Sequence, residues 1–135
     1  MPESVQHMQL VERIVRYIAR VHGPSGDVIV FHDLPGPLGC EKPPRISGFV
    51  PDVYATNMPH SITLLGEAKT EDDLETYHSR QQIKAYLAFL SQCHHGKFIL
   101  AVPWQLAATA WNLVKASHTH GTRMPEVVIL DGVRD

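Results

Sequence analysis

Residues 3–22 (ESVQHMQLVERIVRYIARVH) place Met8, Val11, Val15 and Ile18 at three- and four-residue steps, with Ile14 and Val21 widening the stripe. That spacing predicts an amphipathic helix, and Gly23-Pro24 stops it. Residues 27–33 (DVIVFHD) are mostly apolar and predict a strand. Residues 34–48 hold four prolines and three glycines, which forbid a regular element and predict a long loop. Residues 49–56 (FVPDVYAT) predict a second strand, in which Pro51 argues for an edge position or a bulge. Residues 57–60 form a turn. Residues 61–69 (SITLLGEAK) predict a third strand, with Gly66 leaving room for a close approach.

Thr70, with Asp73 three residues on, predicts the capped start of a helix that runs to about Gln92. Glu71, Asp72, Asp73 and Glu75 would complement its dipole rather than act as ligands. Its core stripe is Ile83, Tyr86, Leu87 and Leu90. Residues 97–102 (KFILAV) predict a buried strand, parallel to the third through the helical crossover. Residues 103–117 predict a helix opened by Pro103. It is apolar nearly all round, which implies burial in the domain or at a homodimer interface. Trp104 and Trp111 share one face and read as packing residues. Residues 126–131 (EVVILD) predict a final strand. The order is α-β-β-β-α-β-α-β, an α/β domain over residues 1–135 with a mixed sheet flanked by helices.

Composition narrows the classes. A hydrophobic share of 44% and a charged share of 19% describe a globular chain, not a disordered one. Two cysteines make no disulfide framework, so a reduced, cytoplasmic setting is the expectation. No apolar run reaches the ~18 residues of a membrane span, and the N-terminus lacks a signal-peptide pattern. A net charge of −2 counts mildly against nucleic acid as a partner, although it hides local positive charge. Cys93-His94-His95, with Cys40, His118 and His120 elsewhere, lacks the paired-cysteine spacing of a structural zinc module. Cys93 lies near a helix C-terminus, where the dipole disfavours a thiolate. The chain has no Gly-rich phosphate loop and no G-x-S-x-G elbow.

The chemistry concentrates between Gly48 and Tyr86. Side chains alternate along a strand, so Glu67 and Lys69 point one way and Ala68 points into the core. If the strand carrying Asp52 pairs alongside, two carboxylates and an ammonium converge at one edge of the sheet. Two carboxylates suit a hard divalent cation, and a lysine beside them suits a water or a phosphate. Gln82 and Tyr86 sit one turn apart on the next helix.

Pro51-Asp52, then Glu67-Ala68-Lys69, then Gln82-x-x-x-Tyr86 resembles the signature of the PD-(D/E)xK nuclease superfamily. The last element and Lys69-Thr70 are similar to its RecB-type and Holliday-junction-resolvase-like branches. The resemblance implies a restriction-endonuclease-like fold and a metal-dependent nuclease acting on nucleic acid, DNA foremost. It implies that Asp52, Glu67 and the Ala68 carbonyl hold Mg2+ or Mn2+, that Lys69 activates water and that Gln82 assists. Glu12 is either a solvated flank residue or a further metal ligand from the first helix. Lys42 and Arg45 are either plain loop charges or phosphate contacts. Arg80, Lys84 and Tyr86 are the remaining candidates for substrate contact. The alternative is a catalytically inactive binding or assembly module on the same fold.

Overall fold

The computed structural model describes residues 4–35, 41–58 and 60–133. Strands β1 (Val28–His32), β2 (Val53–Asn57) and β3 (Thr63–Ala68) are antiparallel neighbours; β4 (Gly96–Ala101) and β5 (Glu126–Leu130) continue the sheet in parallel, in the order β1-β2-β3-β4-β5. Helix α1 (Val5–His22) covers one face, while α2 (Tyr77–Ser91) and α3 (Ala107–Ser117) cover the other. The fold is therefore mixed α/β, with the element order that the pattern predicts. Among the described residues no helix is long and apolar enough to cross a membrane.

Strand β3 is buried along its whole length, because both faces are covered. Leu64 and Ala68 pack with Leu10, Val11, Ile14 and Ile18 of α1. Leu65 points the other way, into the cluster of Ile83, Tyr86, Leu87, Leu90, Phe98 and Leu100. Each fully buried Leu or Ile contributes about 1.5–3 kcal/mol, so these two layers supply the stability against which a polar site at the strand end is built. Gly66 is required by α1. A Cβ there would stand 2.7 Å from Ile14 Cγ2 and 3.2 Å from Val53 Cβ.

Several boundaries differ from the pattern. The sheet-facing row of α1 is Val11, Ile14 and Ile18, joined by Leu10; Val21 is 45% exposed. The second strand starts at Val53, so Pro51 and Asp52 stand just before it. Strand β2 is an interior strand, and the proline avoids disrupting it by lying outside the ladder. The helix after β3 begins six residues later than predicted, capped at Thr76 instead of Thr70. Residues 70–75 turn instead, with the Asp73 and Leu74 N–H groups both donating to the Thr70 carbonyl and Leu74 fully buried. Thr76 is the cap, its hydroxyl accepting from the Ser79 N–H at 3.1 Å.

Residues 104–106 form a short 3-10 turn before α3. Only Ala110, Val114 and Ser117 of α3 are buried. Trp104 is 64% exposed and Trp111 39%, so neither is buried within the domain. At the opposite end of the sheet from the β3 C-terminus, Lys97 is buried yet satisfied. Its Nζ lies 3.2 Å from His22 Nε2, 3.5 Å from Glu126 Oε2 and 4.8 Å from the Tyr17 ring centroid. Burial first, then the Lys97 charge, lowers the His22 pKa, which suits a neutral imidazole whose Nε2 accepts a hydrogen bond from the Lys97 ammonium.

Gly66→Ala is expected to lower the unfolding free energy by about 1–3 kcal/mol, measured by urea denaturation, because Ile14 has no room to give. Adding Ile14→Ala should cost less than the sum of the two single changes; strict additivity would mean that the close approach is not what glycine serves there.

Candidate active site

The site forms where β3 ends. Asp52 and Glu67 are locked to each other by the backbone. The Ala68 N–H donates to Asp52 Oδ2 at 2.9 Å, and the Asp52 N–H donates to Glu67 Oε1 at 3.2 Å. This reciprocal pair follows from β2–β3 pairing, in which Val53 stands opposite Gly66 and sets Asp52 beside Glu67. Glu67 Oε2 faces Lys69 Nζ at 3.5 Å. Lys69 also donates to Gln82 Oε1 at 2.6 Å, and the Gln82 amide nitrogen donates to Glu67 Oε1 at 3.3 Å. The Tyr86 hydroxyl donates to the same oxygen at 3.3 Å.

Glu67 is thus the hub, 2% exposed and ringed by donors. Its pKa is nevertheless raised well above 4.5. Burial is the largest cause and the adjacent Asp52 charge the second; Lys69 opposes both. Burial and the Glu67 charge also raise the Tyr86 pKa, so its hydroxyl keeps its proton and remains a donor.

A cavity of about 500 Å³ opens over this network, lined by His7, Asp52, Glu67, Lys69 and Gln82 and bounded by Asp72 and Asp73. His7 comes from the first turn of α1, and its Nε2 lies 3.3 Å from Asp52 Oδ2. Sequence reasoning missed it. The available signal is register: His7 precedes Val11, Ile14 and Ile18 by four, seven and eleven residues, so it continues the sheet-facing row of α1 to the helix end.

The other expected residues fall elsewhere. Glu12 is exposed, ion-paired with Arg16, and borders a separate cavity with Met8, His32 and Leu34. Lys42, Arg45, Arg80 and Lys84 are exposed and do not line the site cavity; the Arg45 guanidinium donates to the Gly48 carbonyl at 3.0 Å. Tyr86, expected to meet substrate, is fully buried against Phe49 and Phe98, and only its hydroxyl reaches the site, through Glu67. Cys40 lies outside the described residues. Burial raises the pKa of Cys93, in keeping with an unreactive thiol.

Among the described residues no three His, Cys, Asp or Glu side chains form a ready metal cluster. A cation here would rest on the two carboxylates, the Ala68 carbonyl and water. That donor set is all oxygen, and it fits a hard ion. Burial first and the Asp52 charge second raise the Glu67 pKa, and a bound cation would oppose both. No family model, curated protein or solved structure matches the chain.

A carboxyl whose pKa rises on folding binds its proton more tightly in the native state. Stability is therefore greatest below the unfolded value of about 4.5 and falls as pH rises towards the folded value. Urea midpoints measured with a chelator present should decline from pH 4.5 upward. Glu67→Gln should flatten that decline and be relatively more stable at pH 8 than at pH 5; parallel curves for the two proteins would contradict the assignment.

Proposed function

We propose that the protein is a metal-dependent nuclease of the PD-(D/E)xK type, on a restriction-endonuclease-like arrangement of its mixed sheet, hydrolysing phosphodiester bonds of nucleic acid, DNA foremost. The observation that carries this reading is the convergence of Asp52, Glu67 and Lys69 on one cavity at the end of β3, fixed by the 2.9 Å and 3.2 Å backbone bonds. A fold gains no stability from two adjacent carboxylates, one of them buried, so their presence together at one cavity argues for chemistry.

Asp52, Glu67 and the Ala68 carbonyl would hold Mg2+ or Mn2+. The ion would supply positive charge to the phosphoryl oxygens and acidify water. The Lys69 ammonium orients the attacking water and by its charge favours loss of that water's proton to solvent; the hydroxide attacks phosphorus in line, and the leaving oxygen takes a proton from solvent. Gln82 does not touch the reacting atoms. It aims the Lys69 ammonium and holds Glu67 at the same time. Tyr86 braces Glu67 from beneath. A homodimer and a reduced, cytoplasmic setting are part of the same proposal.

A second reading is a non-catalytic binding or assembly module on the same fold. It is favoured by the acidic rim of Asp72 and Asp73 and by the four basic candidates lying away from the cavity. Metal binding and turnover separate the two readings.

Lys69→Ala is expected to reduce cleavage of a panel of single-stranded, duplex and junction substrates at least ~100-fold in Mg2+ or Mn2+, with the circular dichroism spectrum unchanged. Cleavage at the wild-type rate would remove the mechanism. Calorimetric titration with Mn2+ should show one site, lost in Asp52→Asn. Because burial and the Asp52 charge raise the Glu67 pKa well above 4.5 and a cation favours the ionised carboxylate, affinity should rise as pH rises through that pKa, and binding below it in buffers of different ionisation enthalpy should reveal proton release. Binding without proton release would place the ion elsewhere.

A further inference from the structure

Trp104 is 64% exposed, although few residues gain more from burial. It stands on the turn that leaves β4, held by Pro103 in an extended conformation. Three residues earlier, the Ala101 carbonyl accepts the Lys69 N–H at 3.0 Å. The indole is therefore tied by a short stretch of backbone to the strand end that carries Lys69. It rims a cavity of about 320 Å³ lined by Gln6, Gln9, Arg13, Gln105 and Asp131. The wall between this cavity and the site cavity is the first turn of α1, where Gln6 faces one and His7 the other.

An aromatic face with three carboxamides is suited to a planar, neutral, hydrogen-bonding group. Arg13 and Asp131 line the cavity together, so their charges offset and neither sign of ligand is singled out there. The two cavities together thus divide a nucleotide's chemistry, with the phosphate at Lys69 and the base beside Trp104. We propose that Trp104 is the stacking platform for an unpaired nucleobase flanking the scissile phosphate, with the glutamine amides of Gln6, Gln9 and Gln105 on its edge. The substrate class this selects is a single strand or a frayed or flapped end, since a base paired inside a duplex cannot offer its face to a side chain. The proposal rests on the nuclease reading for its scissile phosphate.

The chain has two tryptophans, so Trp111→Phe leaves Trp104 as the sole reporter. Titrating that variant with single-stranded oligonucleotides in EDTA should quench its emission saturably, and a blunt duplex should quench far less. In Mg2+ or Mn2+, Trp104→Ala should raise KM for a single-stranded substrate about tenfold with kcat nearly kept, and Trp104→Phe should restore most of the loss. Cleavage by the wild type with no quenching and an unchanged KM in Trp104→Ala would overturn the platform and leave the nuclease reading standing. Saturable quenching without cleavage by any form would uphold the platform and sink the nuclease reading. Neither quenching nor cleavage would end both.

Discussion

A carboxylate placed at the end of a strand that is covered on both faces must be held there by donors. Glu67 is that group, and much of the surrounding structure reads as its accommodation. The Asp52 N–H, the Gln82 amide and the Tyr86 hydroxyl converge on Oε1, and Lys69 stands at Oε2. Burying such a group unpaired would cost several kcal/mol, comparable with what two or three buried leucines contribute. The donors come from two strands' ends and one helix, so the carboxylate also fixes how β2, β3 and α2 meet. The pull is imperfect, because burial and then the nearby Asp52 charge keep the Glu67 pKa high. A site in which two acids are pressed together and one basic group is aimed at them is tense in the absence of a counter-charge.

The same end of the sheet gathers the chemistry for a topological reason. Strands β3 and β4 run in parallel, so both release their chains on one side, and the turns after them bring Lys69 and Trp104 within reach of the α1 N-terminus. The opposite end is different in kind. Lys97 is closed in by Tyr17, His22 and Glu126, contacts that tie α1 to β4 and β5.

The sequence carried the element order, the parallel fourth strand and the α2 core stripe, because hydrophobic period and breaker residues dominate each of those decisions. It also carried the convergence of Asp52, Glu67 and Lys69, which needs only strand alternation and the pairing of two neighbouring runs. The start of α2 was not legible. Thr70 and Thr76 both have a polar residue three positions on, and what decides between them is the burial of Leu74, a tertiary fact. The exposure of the tryptophans was not legible because periodicity reports which residues share a face, not whether anything covers it. His7 was hidden by its neighbour: Met8 was placed on the apolar stripe, and the helix rotation that puts His7 over Asp52 is fixed by the packing of Leu10, Val11, Ile14 and Ile18 on the sheet.

Ile14 seated on Gly66 acts as a detent between α1 and β3. It fixes the helix axially one residue away from Glu67, and His7 lies seven residues up the same helix, about 10 Å along its axis. Sliding or tilting of α1 is thereby converted into movement of the imidazole over the Asp52 carboxyl. Residues on the apolar face of α1 thus act on the dimensions of the cavity as well as on global stability, so the interior of this small domain serves as the gauge that sets the opening over Asp52 and Glu67.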